Sequence, residues 1–227
     1  YNLFREFSKI ITKLLSPSII PLLPVYIFGT FMNMTYSGQI FATLSIFLKV
    51  FICVIILHML YTAGLFIFAG GLSGKNPFVC MKNQIPGYFT ALGTQSSAAT
   101  IPINIECAKR NGTSPEIREF VVPLCATIHL AGSIITITSC VVTVLMMHSM
   151  SYGISTIFPF IMVLGVAMVA APGAPGGAIM SALPFLGMVG IASSSPMASL
   201  LIALYITQDS FGTAANVSGD NAIAIIV

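Results

Sequence analysis

The C-terminal stretch of the chain places two carboxylates inside an apolar segment. Asp209 and Asp220 are the only aspartates of the sequence, and apolar residues precede and follow them. In a helix, Asp209, Thr213, Asn216 and Asp220 would share one face. A charge inside a membrane helix is costly and normally faces a partner, a cavity or an ion. The oxygens of this face suit a cation or an ammonium group, so we interpret it as a binding site. The alternative is a soluble amphipathic helix with a solvated polar stripe.

The composition favours the membrane over water. Only 7% of the residues are charged and 56% are hydrophobic, whereas soluble domains carry roughly 25% charged residues. Such a chain cannot cover a water-facing surface, so we expect an all-α, multi-pass integral membrane protein in contact with the lipid bilayer. The net charge of +3 is small and gives no indication of a nucleic-acid partner.

Two pairs of short apolar arms interrupt the longer apolar runs. The first pair surrounds a polar tip at 94–102, before a span predicted from Phe120 to Met147. The second pair, at 156–171 and 178–191, surrounds a Gly/Pro tip at 172–177 and precedes one long last helix. Paired interrupted segments mark the binding sites of transporters, so we interpret both as re-entrant hairpins. Each tip would otherwise be a plain loop between two ordinary spans.

The distribution of Lys and Arg predicts the topology. The loops that carry Lys75, Lys109, Arg110 and Arg118 should face the cytoplasm, whereas the loops at 148–153 and 192–196 carry no Lys or Arg and should lie outside. The chain does not begin with Met and stops inside an apolar run. We therefore expect a fragment that is truncated at both ends.

Four motifs occur in order along the chain: Gln95–Pro102, Pro123–Ser133, the tip at 172–177 and Asp209–Asp220. Together they resemble the dicarboxylate/amino acid:cation symporters, the glutamate transporter-like family. The resemblance implies an elevator fold with transmembrane helices and two re-entrant hairpins. It assigns residues 1–75 to the last scaffold-side helices and the start of the transport domain, and 76–227 to the transport-domain core. It also implies a homotrimer in the full-length protein, a plasma-membrane location (the bacterial inner membrane) and no enzyme activity.

The resemblance also assigns roles to individual residues. Asp209 would pair with the ammonium group of the substrate, and Ser97 would offer its backbone to the substrate carboxylate. Asp220 would bind a sodium ion, Thr127 would contribute to a second sodium site, and no tightly bound cofactor is implied. The implied substrate-binding residues are Ser96, Ser97, Gly173, Asp209, Gly212, Thr213 and Asn216, and the implied sodium ligands, mostly through backbone carbonyls, are Cys125, Thr127, His129, Asn216 and Asp220.

Two departures from the family pattern bear on the substrate and the ion. Gly212 stands where members with acidic substrates have an arginine, so a second substrate carboxylate would be buried unpaired, which is expensive. We therefore expect a small neutral amino acid such as serine, threonine or alanine. The alternative is a dicarboxylate or an acidic amino acid. Ala131 stands where the family has the aspartate of a further sodium site, so fewer sodium ions are expected, or a proton in place of one.

Two questions stay open from the sequence. His129 would carry a proton in one interpretation, because histidine changes its charge near neutral pH, and would be a neutral packing residue in the other. An anion channel and an intramembrane enzyme are further alternatives to a symporter. The enzyme has little support because no nucleophile–base pair can be assigned.

Overall fold

A computed structural model describes residues 40–227, together with Val25, Phe28, Gly29, Met32, Thr35 and Tyr36. The chain divides into two compact units, Tyr1–Ile46 and Phe47–Val227, and every contact described below lies within the second unit. The division at residue 75 into a scaffold-side part and a transport-domain core stays a prediction. Most of residues 1–39, part of the segment 1–75 that the resemblance assigns to the scaffold side, lies outside the described residues.

The described part of the chain is helical. Its helices are α1 (Ile40–Ser73), α2 (Pro77–Thr94), α3 (Ser97–Arg110), α4 (Pro115–Ile128), α5 (Ala131–Met147), α6 (Ile154–Ala167), α7 (Gly177–Ala182), α8 (Pro196–Ile206) and α9 (Asp209–Ile226), with 3₁₀ turns at Met168–Ala170 and Leu183–Val189. Among the described residues, two segments are long and apolar enough to cross a membrane, Leu44–Ser73 and Pro115–Met147.

The first pair of short arms forms a tight helical hairpin. Asn83 near the start of α2 donates to the carbonyl of Arg110 at the end of α3 at 3.2 Å, so the two helices run antiparallel. Only Gln95 and Ser96 separate them, with Gln95 in the left-handed region at φ 52°. The tip predicted at 94–102 was therefore too broad. Ser96 caps the second arm through the amide of Ala99, which lets the helix resume at once.

The predicted span from Phe120 to Met147 is broken in the middle. Residues 129 and 130 leave the helix between α4 and α5, so the apolar segment consists of two helices although its length still suffices for a span. The predicted last helix is also broken, at Thr207 and Gln208 between α8 and α9. Asp209 thus begins a helix instead of lying inside one. The polar face from Asp209 to Asp220 lies wholly within α9.

Helix α9 lies at the centre of the second unit and packs against α2, α3, α4 and α5. Buried amides attach the first hairpin to it: Asn104 donates to the carbonyl of Val217 at 2.9 Å, and Asn221 donates to the side chain of Gln84. Gln84 in turn donates to Asn104 at 3.0 Å. Buried polar groups that satisfy one another fix a single arrangement of the elements, so the hairpin and α9 form one structural unit.

Candidate functional site

The carboxylate of Asp209 joins three parts of the chain. Asp209 is the first residue of α9, and its side chain is almost fully buried. Its Oδ1 accepts a hydrogen bond from the Tyr205 hydroxyl of α8 at 2.6 Å. Its Oδ2 accepts one from the backbone N–H of Gly176, in the tip of the second hairpin, at 2.7 Å. Among the described residues, no Lys or Arg forms an ion pair with Asp209. Asp209 is therefore a buried carboxylate held by neutral donors.

Asp209 lies in the wall of a small cavity between the two hairpin tips and α9. Five residues implied as substrate ligands are part of the lining: Ser97, Gly173, Asp209, Thr213 and Asn216. The lining also includes Ser133 and Tyr205. Every polar group named here is neutral apart from the Asp209 carboxylate. The cavity thus offers one negative charge surrounded by hydroxyl, amide and backbone groups.

The tips of the two hairpins touch directly. Ser96 donates its hydroxyl to the carbonyl of Gly173 at 2.7 Å, so it joins the tips instead of lining the cavity. Ser97, the first residue of α3, does line the cavity. The first N–H groups of a helix have no partner within it, so the start of α3 presents donors suited to an anion.

Gly212 lies beside the cavity, at the contact between α5 and α9. A Cβ atom added there would stand 3.2 Å from the Thr136 hydroxyl and 3.5 Å from the backbone of Gly132, both on α5. The structure therefore places Gly212 in helix packing and not in the cavity lining. A long side chain at this position would meet α5 first.

Asn216 closes the break between α4 and α5. Its Oδ1 accepts from the backbone N–H of Gly132 at 2.7 Å, and its Nδ2 donates to the Ser133 hydroxyl at 3.0 Å. Leu130, which precedes α5, provides no side-chain cap of its own. Asn216 therefore caps α5 from a neighbouring helix. The same side chain lines the cavity, so it links the break to the cavity wall.

A hydrogen-bonded chain crosses the other side of this break. The ring of His129 contacts the Asp220 carboxylate through Nδ1 at 2.8 Å and the Tyr61 hydroxyl through Nε2, also at 2.8 Å. Asp220 is fully buried, and its Oδ2 has no partner among the described residues. An unpartnered buried carboxylate oxygen is expensive, so Oδ2 is a suitable position for a cation.

The positions of the other implied sodium ligands agree less well with a cation site at the break. The carbonyl of Cys125 accepts the His129 amide at 2.8 Å within the last turn of α4. Thr127 is exposed, and its hydroxyl donates to the carbonyl of Leu124 at 2.7 Å. The described residues include no cluster of three or more His, Cys, Asp or Glu that could hold a metal ion. A cation at Asp220 would therefore need backbone carbonyls, which transporters use for Na+ at broken helices.

Comparison with known proteins supports the interpretation of these motifs. The family model described as the sodium:dicarboxylate symporter family matches residues 1–227. The chain belongs to the sodium:dicarboxylate symporter family. The family consists of transporters, which agrees with the expectation that the chain is not an enzyme.

Curated relatives extend the comparison. The chain is 32% identical over 212 residues to the serine/threonine transporter SstT of Acinetobacter baumannii, covering 89% of this chain and 51% of that protein. It is 28% identical over 200 residues to excitatory amino acid transporter 1 of Rattus norvegicus, covering 88% of this chain and 36% of that protein. The chain thus spans about half or less of the length of these symporter-family relatives.

Three residues of the site had no assigned role from the sequence. Gly176 contributes a backbone amide, and Ser133 and Tyr61 contribute hydroxyls. Tyr61 is half-buried in α1, where a tyrosine hydroxyl normally has a hydrogen-bond partner. Its partner lies 68 residues away in the sequence, beyond the reach of any local pattern.

Proposed function

We propose that the protein is a secondary active symporter that couples Na+ entry to the uptake of a small neutral amino acid such as serine, threonine or alanine. The observation that carries the proposal is the Asp209 carboxylate, which is buried in the cavity wall and has no cationic partner in the described part of the chain. The name of the serine/threonine transporter relative points in the same direction.

The charges of the cavity favour a neutral amino acid over a dicarboxylate. The ammonium group of the ligand would supply the positive charge that Asp209 lacks, and its α-carboxylate would meet the N-terminus of α3 at Ser97. A second carboxylate on the ligand would add a negative charge with no cation to compensate it. The alternative, a dicarboxylate or acidic amino acid, requires a cationic partner from outside the described residues.

The break between α4 and α5 supports the proposal that Na+ is the coupling ion. Asp220 offers a free carboxylate oxygen there, and interrupted helices expose carbonyls that suit Na+. The second candidate ion is a proton on His129, which the contacts of its ring with Asp220 and Tyr61 favour. In this second case the imidazolium would provide the positive charge beside Asp220 directly.

The organisation of the whole protein is part of the proposal. Residues 76–227 would form the moving core of an elevator, with the hairpins α2–α3 and α6–α7 re-entrant and closing the two sides of the cavity. Residues 1–75 would connect this core to a scaffold. The full-length protein would be a homotrimer in the plasma membrane, the inner membrane in a bacterium. Family membership and the two long apolar segments support this arrangement.

Uptake by proteoliposomes tests the proposal. The complete gene product would be supplied with labelled serine, alanine or aspartate, once under an inward Na+ gradient and once under an inward proton gradient. We expect serine or alanine uptake that requires Na+ and is lost in Asp209→Asn, because the amide cannot attract the ammonium group. Glu119→Gln is the matched control, since Glu119 is exposed on α4.

Other outcomes would change the proposal in defined ways. Uptake of aspartate without uptake of serine would contradict the argument from the uncompensated negative charge of Asp209. Uptake driven by protons alone and lost in His129→Gln would replace Na+ as the coupling ion. Current without saturable uptake would indicate a channel.

A further inference from the structure

Tyr205 is the one side chain that donates to Asp209 among the described residues. The tyrosine is fully buried and is one of the residues that line the cavity. It lies four residues before Asp209, across the break between α8 and α9, and its hydroxyl donates to Oδ1 at 2.6 Å. The break therefore brings the end of one helix and the start of the next together around one hydrogen bond.

The two donors to Asp209 differ in kind. Gly176 belongs to the tip of the second hairpin, at φ 74°, and donates through its backbone. Tyr205 belongs to α8, is fully buried and donates through its side chain. If the second hairpin opens to admit a ligand, the Gly176 bond breaks, whereas the Tyr205 bond remains. Tyr205 is thus the permanent partner of the carboxylate.

A hydroxyl donor orients a carboxylate without cancelling its charge. An ionised carboxylate has about four acceptor positions, and Tyr205 occupies one of them. Hydrogen bonds to a charged acceptor are short and stronger than those between neutral groups. The hydrogen bond therefore fixes the orientation of the Asp209 carboxylate and leaves acceptor positions for a ligand. A cationic side chain in place of Tyr205 would have neutralised the carboxylate.

We infer that Tyr205 is a positioning and specificity-determining residue for the site, selecting ligands that carry an ammonium group. It holds Asp209 in the orientation that receives the ammonium group and leaves the compensating charge to the ligand. The inference rests on the proposed function, since it assumes that an amino acid binds in this cavity.

The test is Tyr205→Phe, which keeps the ring and removes the hydroxyl. In proteoliposomes under a Na+ gradient, we expect the KM for serine to rise about tenfold or more, the usual scale for losing a hydrogen bond to a charged group. The maximal rate and the Na+ concentration for half-maximal uptake should change less than twofold. A general packing defect would change all three quantities together. Tyr205→Gln keeps a donor and should recover part of the serine affinity.

Tyr152→Phe is the matched control, because Tyr152 lies in the exposed loop before α6. A KM in Tyr205→Phe within twofold of the wild type would overturn the inference, as would parallel changes in KM, maximal rate and Na+ dependence. Absence of serine and alanine uptake in the wild-type protein would instead contradict the proposed function. The two failures are therefore distinguishable in one set of measurements.

Discussion

At the scale of single residues, the closest approach of α5 and α9 depends on glycine. A Cβ atom added to Gly132 would overlap the carbonyl of Gly212 and stand 2.8 Å from the Cβ of Ala215. Both of these atoms belong to well-packed helix surface that cannot move independently. The absence of a side chain at 132 therefore sets the distance between the two helices. The same contact keeps Asn216 within reach of the amide that it caps.

Gly132→Ala should destabilise the protein through this contact. Overpacking of a tight interior typically costs about 1–3 kcal/mol, so we expect a thermal midpoint in detergent several degrees below that of the wild type. Gly71→Ala in α1 is the control, because a Cβ atom there would meet nothing within 4 Å. Equal midpoints for the two variants would show that α5 and α9 can separate without cost.

At the scale of elements, the sequence predicted the hairpins and the polar face of α9 but missed both helix breaks. Local patterns were sufficient for the hairpins and the polar face. Short arms and a Gly/Pro tip predicted the hairpins, and the helical spacing from Asp209 to Asp220 predicted the polar face. The break at residues 129 and 130 occurs in an apolar run without a distinct stop signal. It is stabilised by Asn216, which lies 84 residues after the Gly132 amide that it caps. Tertiary contacts of this kind override local preference and cannot be predicted from a single sequence.

Two side chains of α1 contact the break between α4 and α5. His58 contacts the carbonyl of Gly132 through Nε2 at 3.0 Å, and Tyr61 contacts the ring of His129. One turn of α1 thus binds to both sides of the α4–α5 break. The two contacts fix the position of the break relative to α1. They also hold the His129 ring between Tyr61 and Asp220.

Tyr61→Phe should weaken the attachment of α1. The variant keeps the ring and loses the hydrogen bond to His129, which typically contributes about 0.5–1.5 kcal/mol. We expect a lower thermal midpoint than in Tyr88→Phe, the control, whose ring instead packs edge-on against Phe89 at 5.8 Å. If Tyr61→Phe and Tyr88→Phe have the same thermal midpoint, the contact with His129 contributes nothing to stability.

At the scale of the whole molecule, charged and uncharged loops gather in separate groups. Lys75, in the loop before α2, donates to the carbonyl of Asn111, in the loop before α4, at 2.6 Å. The loop at 148–153 instead adjoins Gly190, where an added Cβ atom would stand 2.9 Å from Met150. The first group is rich in Lys and Arg and the second has none. The apolar segment Pro115–Met147 connects the two groups and is long enough to cross a membrane.

The segregation of charge predicts the orientation in the membrane. Positive loops stay in the cytoplasm, so a cysteine at Lys109→Cys should react with an impermeant maleimide only from the cytoplasmic side. Ser151→Cys should react only from outside. Both positions are exposed, and a Cys53→Ser background removes the one exposed native cysteine among the described residues. Labelling of both cysteines from one side would mean that Pro115–Met147 does not cross the bilayer. Reversed labelling would instead place the basic loops outside and contradict the orientation predicted from charge.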